Sequence, residues 1–322
     1  MSSSTSVKFL KISSNTKSNS ISDDNLSNES NGKIIEISGW VVETRKMPIL
    51  NSNEIKKFNE KLSIPLPEIC FGNNSLTIRH PSSGFEYQWN TLDALLMVQS
   101  TDNEQEGYLK VAYADHWSQA RKSSEMITKV INPFDWTYTT TYSGTNKSLK
   151  TKFETPPDLL THPGIPLALL ARPEPILFFD EVTLFEDELH DNGMTSLQVK
   201  VRVMPTCIFA LSRFFLRVDG VTFRLLDVRF YIDLSTNEII REVKAKEMKY
   251  DEVKRHLPIE KPHDLTPLTD PHWVSQVFKM LEKDEFKIPS HASSTDAEHR
   301  KWNDILGAHL DIARLDCNLT AA

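Results

Sequence analysis

The chain has 322 residues, 37 Lys and Arg against 44 Asp and Glu, and a formal net charge of −7. That length holds one large domain or two small ones, and the acid excess gives no general attraction for nucleic acid or anionic membrane. No apolar run reaches the roughly 18 residues that a spanning helix requires, no secretory leader is expected, and Cys70, Cys207 and Cys317 are far apart and odd in number. This cysteine usage fits a reducing compartment, with cytoplasm as the expected location and the nucleus as the second.

Residues 1–31 are dominated by Ser and Asn, with Val7, Phe9, Leu10 and Ile12 as the apolar cluster. Such a segment buries too little surface to offset ordering entropy, so it is expected to be disordered; a docking motif around Phe9 is the alternative. Ile34 to Thr44 reads as a first strand. Glu54 to Leu62 carries Ile55, Phe58 and Leu62 at helical spacing and is ended by Pro65 and Pro67. Leu76 to Ile78 and Phe85 to Trp89 are short strands around the turn cluster Pro81-Ser82-Ser83-Gly84. Asn90 is a good helix cap with Asp93 three residues on, and Leu92, Leu95, Leu96 and Val98 are expected on the buried face. Asp93 is therefore either a capping carboxylate or a partner contact.

Tyr108 to Tyr113 reads as a strand, followed from Asp115 by a helix with Trp117 and Ala120 inward. The run Asn132-Pro133-Phe134-Asp135-Trp136-Thr137-Tyr138-Thr139-Thr140 favours a strand through its aromatic and β-branched residues. Between Thr155 and Pro175, Pro156, Pro157, Pro163, Pro166, Pro173 and Pro175 exclude a regular strand or one long helix. At most a helical turn fits at Leu167 to Ala171. Ile165 in this segment is either clamped onto the core or left for a partner.

From Ile176 to Lys246 strand signals follow one another. Leu197, Val199, Val201 and Val203 share an aliphatic face opposite Gln198, Lys200 and Arg202. The Asp219-Gly220 pair predicts a hairpin with a two-residue turn, opposing Val218 to Val221, Leu216 to Phe223 and Phe214 to Leu225. In that register Arg213, Arg217 and Arg224 lie on a basic face with Phe215. Alternation then slips, because Asp227, Arg229 and Tyr231 would point into the apolar face. A bulge near Leu225-Leu226 restores it and turns Asp227 and Arg229 outward. The alternative is a sheet covered on both faces, with Asp227 and Arg229 as a buried pair. The acidic run from Asp180 to Asp191 is brought beside the basic strand by the turn at His190–Gly193, so cross-strand ion pairing is the plain expectation.

Glu186-Asp187-Glu188-Leu189-His190-Asp191 comes nearest to a metal or acid–base cluster, but its spacing fits no standard loop and strand alternation divides adjacent residues between faces. The sequence contains no standard phosphate-binding Gly-rich loop, Cys-x-x-Cys pair or Gly-x-Ser-x-Gly elbow. A non-enzymatic protein without metal or cofactor is expected. The basic face leaves three readings: an internally paired surface, a groove for an acidic or C-terminal carboxylate-bearing peptide, or a platform for single-stranded nucleic acid.

The run from Asn132 to Thr140, then Leu184-Phe185-Glu186-Asp187-Glu188-Leu189-His190-Asp191, Val201-Arg202-Val203-Met204-Pro205 and Arg213-Phe214-Phe215-Leu216-Arg217-Val218-Asp219-Gly220-Val221 resemble the TIPRL family. Leu66-Pro67-Glu68, Phe71-Gly72 and the Asn90–Asp93 cap are similar to its pattern as well, over roughly Ile34 to Lys249. The resemblance implies an α+β fold: a single domain with a mainly antiparallel long-strand sheet meander covered by a few helices. It further implies a non-enzymatic regulator in TOR signalling that binds catalytic subunits of type 2A-like protein phosphatases, including their C-terminal tail, and restrains their activity. A phosphatase-associated adaptor of that pathway is a second implied partner. The site residues it implies are Asp93, Leu225, Asp227 and Arg229, with Arg224 next and Ile165 a weaker match; Arg213 and Arg217 join them from the basic face. A monomer is expected, with neither nucleic acid nor membrane as partner, and single-stranded nucleic-acid binding is the alternative. The chain divides into a disordered head at 1–31, the α+β domain at 32–283 and a loose extension at 284–322. The domain ends on a helix at Pro271 to Glu282, capped by Asp270, with Trp273, Val277, Phe278 and Leu281 inward. In the extension Trp302, Ile305, Leu306 and Leu310 have helical spacing; peripheral packing or a disordered tail is expected, with a docking helix as the alternative.

Overall fold

The computed structural model describes residues 7–11, 32–98, 136–281 and 302–315. The strand expected at 108–113, the helix after it, residues 132–135 and the rest of the head lie outside the described residues. Two antiparallel sheets pack face to face. The first runs β1 (Val7–Lys11), β2 (Lys33–Ile37), β3 (Trp40–Arg45), β5 (Ser75–His80), β6 (Phe85–Asn90) and β7 (Thr145–Asn146) in spatial order. The second runs β13 (Gly307–Arg314), β12 (Glu238–Lys249), β11 (Thr222–Asp233), β10 (Cys207–Val218), β9 (Gly193–Val203), β8 (Phe178–Asp187) and the two-residue β4 (Ile69–Cys70). β8 to β12 are the expected meander of long strands. The strands before it build a sheet of their own, and Trp40, Ile78, Tyr87 and Trp89 from that sheet share one core with Phe214, Val228 and Phe230. The Phe230 ring lies 4.6 Å from Tyr87 and 5.5 Å from Trp89, the latter edge-on.

Local chemistry explains most elements. Ser38 and Gly39 both take positive φ (48° and 82°), the paired left-handed turn that a tight hairpin requires. The expected single strand over Ile34 to Thr44 is thus β2 and β3. Asn51 caps α1 (Ser52–Asn59) with a reciprocal Glu54 bond, and Asn90 caps α2 (Thr91–Leu96) by accepting from the Asp93 amide at 2.9 Å. Leu96 is exposed, and Thr91, Ala94 and Leu95 face inward. The expected strand around Trp136–Thr140 is irregular. Tyr138 is left-handed (φ 54°), Thr137 and Thr139 hydroxyls bond each other at 2.6 Å, and Thr140 Oγ1 donates to the Ala94 carbonyl at 2.9 Å. Threonine side chains here satisfy each other and the backbone in place of a ladder. In the Pro-rich segment one helical turn forms, α3 (Leu167–Leu170). The remaining helices are α4 (Tyr250–Lys254), α5 (Pro271–Leu281) and α6 (Trp302–Ile305).

The largest correction concerns the β10–β11 hairpin. Val218 pairs with Thr222, Leu216 with Arg224, Phe214 with Leu226 and Arg213 with Asp227. The loop has three residues, Asp219 to Val221, and of these only Gly220 takes positive φ (71°). A two-residue hairpin turn of the paired left-handed type needs positive φ at both central residues; a turn followed by one left-handed residue makes a three-residue loop. The added residue moves the register by one and sends Phe223, Arg224 and Leu225 to the opposite face from that expected, while Asp227 and Arg229 face outward, the placement for which the bulge is invoked. No bulge at Leu225-Leu226 is needed, because β11 pairs regularly with both neighbours throughout. The six residues expected on one apolar face divide accordingly: Phe214, Leu216 and Val218 enter the core between the sheets, Phe223 and Leu225 enter a second core on the outer face, and Val221 is exposed in the loop.

Two segments expected to be loose are structured. Val7–Lys11 pairs with β2, Phe9 opposite Ile35. In the C-terminal extension, β13 pairs with β12 from Glu238↔Arg314 to Lys244↔Ala308, and Trp302 is fully buried. In α5, Leu281 is exposed and Ser275 takes an inward place.

A buried carboxylate ties the sheets together. Asp180 on β8 accepts from Thr44 Oγ1 on β3 at 2.6 Å and from Lys46 and Lys33. Burial pushes its pKa up, but the hydrogen bonds from Lys46 and Thr44 and the Lys46 charge outweigh that and hold it below the ordinary value. A depressed folded pKa contributes stability above the unfolded pKa of about 3.9, and this is lost as pH falls through the folded value. Melting temperature is therefore expected to drop on the acid side of that window, and Asp180→Asn to flatten that limb. An unchanged acid limb in the variant would remove Asp180 from this role.

Candidate functional site

The site is assembled on the outer face of the second sheet, the face turned away from the first. Its two ends are covered. At the hairpin end α4 and α5 lie on Phe215, Phe223 and Leu225, burying Val274, Val277 and Phe278 against them. At the other end the Pro-rich segment and β13 bury Ile165, Tyr231, Ile240 and Leu310 together. Between these covers runs a strip of charged residues across the strands. Its centre is a small, open cavity lined by Leu225, Asp227, Arg229, Lys244, Lys246, Ser275, Phe278 and Lys279.

Charge is unevenly held within the strip. Arg213 grips Asp227 with two bonds of 2.6 Å, the bidentate geometry that makes Arg–carboxylate pairs strong. Burial lowers the Arg213 pKa, yet the Asp227 bonds and charge more than offset this and keep it above the ordinary arginine value. Arg229 is held differently. Its nitrogens stop 4.0 Å from Asp227 and 3.9 Å from Glu242, with 13% of the side chain exposed. Both distances are beyond hydrogen-bond reach, so a guanidinium with five donors borders the cavity without a hydrogen-bonded carboxylate among the described residues. Glu242 accepts from the Ile165 amide at 2.7 Å and lies 3.5 Å from Lys244, linking the cavity to the Pro-rich cover. Arg229, Lys244, Lys246 and Lys279 thus line a cavity whose own carboxylate, Asp227, is bound by Arg213. A cavity so lined can take an acidic side chain or a terminal carboxylate.

Of the residues expected at the site, the structure brings Leu225, Asp227 and Arg229 together, with Arg213 beneath them. The both-faces-covered alternative is the one realised, with Arg213 rather than Arg229 as the close partner of Asp227. Arg224 is a correction. It lies on the inner face, 3% exposed, bonded to Glu247 at 2.6 Å and Thr139 at 3.0 Å with the Trp302 ring 5.1 Å away. The register shift put it there. Arg217 sits at the hairpin end, paired with Asp219 at 2.8 Å. Ile165 is buried in the cover, so of its two readings the core one holds. Asp93 belongs to the first sheet's side, where it accepts from Asn90 Nδ2 at 2.7 Å and from the Thr145 hydroxyl. Lys244 and Lys246 were missed, although their alternation along β12 is a signal that could have found them. Ser275, Phe278 and Lys279 carry no such signal, because only tertiary packing lays α5 over these strands.

The other candidate chemistries weaken. Lys200 pairs with Glu181 across β8–β9 at 3.1 Å, and with Arg224 turned inward and Arg213 bound to Asp227 the continuous basic face expected for nucleic acid is absent among the described residues. In the acidic cluster Asp187 accepts from the Leu189 amide at 2.7 Å and the Glu68 amide at 2.9 Å. It thereby builds a turn with three successive left-handed residues, Leu189, His190 and Asp191. Among the described residues no three His, Cys, Asp or Glu side chains gather into a metal-binding group.

Comparison with known proteins identifies the family. The family model of the TIP41-like family matches residues 69–254, which include β8 to β12. The Homo sapiens TIP41-like protein is 38% identical over 271 residues, covering 83% of this chain and 93% of that one. The Saccharomyces cerevisiae type 2A phosphatase activator TIP41 is 39% identical over 266 residues (77% of this chain, 72% of that one). Its Schizosaccharomyces pombe namesake is 32% identical over 252 residues (77% and 95%). With more than half of its residues matched by the family model and these relatives covered over most of their length, the chain belongs to the TIP41-like family.

Proposed function

We propose that this protein is a non-enzymatic regulator that binds catalytic subunits of type 2A-like protein phosphatases, receives their C-terminal tail in the cavity between α5 and strands β11 and β12, and restrains their activity in TOR signalling. The observation that carries the reading is Arg229, a nearly buried guanidinium without a hydrogen-bonded carboxylate among the described residues, bordering a cation-lined cavity on a sheet face flanked by two covers. Two relatives bear the name type 2A phosphatase activator, which supports the choice of partner. The proposed setting is the cytoplasm, with the nucleus as a second compartment and a monomer as the working form; a phosphatase-associated adaptor of the same pathway is a further partner.

Mixing the purified protein with a type 2A catalytic subunit, with and without the subunit's tail, tests the reading. Tight binding that weakens when the tail is removed is expected, and absence of binding to either form would end it. Arg229→Gln, which removes the charge without adding a third carboxylate beside Asp227 and Glu242, is expected to weaken binding by about 2–5 kcal/mol, the cost of disrupting a buried charged contact, with a smaller loss of stability. Unchanged affinity would move the contact elsewhere. The phosphatase assay decides the sign of the effect. Restraint is expected; stimulation would replace it with the activation that the two yeast relatives' names carry.

A further inference from the structure

We propose that the Arg213–Asp227 pair is a positioning device rather than a partner contact: it latches helix α5 onto the sheet and so sets the wall of the cavity. The proposal rests on the reading of that cavity as the partner site, and it assigns to both residues a role exercised through the helix.

Arg213 projects from the outer face of β10 beneath the start of α5. Besides its two bonds to Asp227, it donates through Nη1 to the Pro271 carbonyl and through Nη2 to Ser275 Oγ, each at 3.2 Å. One guanidinium thereby joins two strands to the first two turns of the helix. Ser275 explains why a polar link is built there. It is 5% exposed and lies on the inward face of α5 with Val274, Val277 and Phe278, a place where an unpartnered hydroxyl would be costly. A cation near a helix N-terminus opposes the helix dipole. The Asp227 carboxylate supplies the counter-charge that makes the position tolerable, and its side chain is itself only 5% exposed.

The consequence reaches the cavity directly. Ser275, Phe278 and Lys279 line it from α5, while Leu225, Asp227, Arg229, Lys244 and Lys246 line it from the sheet. Any rotation or lift of α5 moves Phe278 and Lys279 relative to Arg229. The apolar contacts of α5 with Phe215 and Leu225 provide adhesion, but apolar contact is non-directional. The forked bonds of Arg213 define where along the sheet the helix sits. Asp227 lines the cavity, yet its two oxygens are engaged by Arg213, so it holds the latch while Arg229 remains to meet an anion.

Hydrogen exchange resolved along the chain, paired with phosphatase binding, tests this. The double variant Arg213→Met/Asp227→Leu removes the pair without leaving a lone buried charge, and such replacements are commonly tolerated. In it the α5 amides are expected to exchange at least about tenfold faster while amides of β9 to β12 keep their protection, and binding of the catalytic subunit should weaken at least about tenfold. Ser275→Ala, which removes a single acceptor and preserves the fold, should speed exchange in α5 alone by a smaller factor. Arg213→Lys keeps the charge but lacks the fork, and should also loosen α5. Unchanged α5 exchange in the double variant overturns the latch, whether or not binding falls. Faster exchange with unchanged binding overturns its part in shaping the site. If the parent protein binds no phosphatase, the proposed function falls while the exchange data still decide the latch.

Discussion

Deleting residues 302–322 is expected to abolish cooperative folding or leave a protein that self-associates. β13 covers β12 over seven residue pairs, and its loss exposes the backbone of a 12-residue strand. An open edge of that length is a template for pairing with other chains. The deletion also removes Trp302, which is fully buried with its ring 6.1 Å from Phe214, and takes Ala313 and Leu315 out of the core between the sheets and Leu310 out of the cluster around Ile165 and Tyr231. Trp302→Ala alone is expected to cost about 3–5 kcal/mol, against a total of about 5–15 kcal/mol for an ordinary protein. Urea denaturation of the point variant and size-exclusion chromatography of the truncated protein check these outcomes. An unaltered unfolding midpoint for Trp302→Ala would mean that the segment is not part of the core.

The second large effect is expected at Arg224. On an exposed basic face, reversing its charge would change stability by no more than about 0.5 kcal/mol. In the observed register, Arg224→Glu places a carboxylate among Glu247, Thr139 and Trp302 at a position 3% exposed. Breaking a buried pair in this way costs about 3–5 kcal/mol. Arg224→Met should be milder, because the Glu247 side chain is 36% exposed and can turn to water. Thermal denaturation of the two variants separates the registers: if Arg224→Glu melts like the parent protein, the three-residue loop is refuted. Arg229→Gln gives the contrast, with a loss of binding that exceeds its loss of stability, because Arg229 stands 4.0 and 3.9 Å from its carboxylate neighbours.

These pairs show how near the outer-face site was to being legible. Asp227, Arg229 and Leu225 follow from the family resemblance, and the alternation of β11 shows that they cannot all be ordinary surface residues. One residue of loop length decided the rest. Asp219-Gly220 is compatible with a two- or a three-residue connection, and the difference lies in a single backbone dihedral that residue identities leave open. That ambiguity moved Arg224 from the outer face to the core. The C-terminal extension failed for another reason. Trp302, Ile305, Leu306 and Leu310 fit helical spacing, but a strand 58 residues beyond its partner's end in the chain is selected by a vacant edge, which no local pattern announces.

By itself the amino-acid sequence determined the α+β class, the meander from β8 to β12, the caps at Asn90 and Asp270, and the family. Each depends on short-range periodicity, a local hydrogen bond or an ordered run of motifs. Tertiary structure alone decided that both faces of the meander are covered, that α5 lies over Asp227 and Arg229, and that β13 closes the edge. Those outcomes depend on which surfaces meet across long stretches of chain, and burial is a property of the meeting surfaces rather than of either segment.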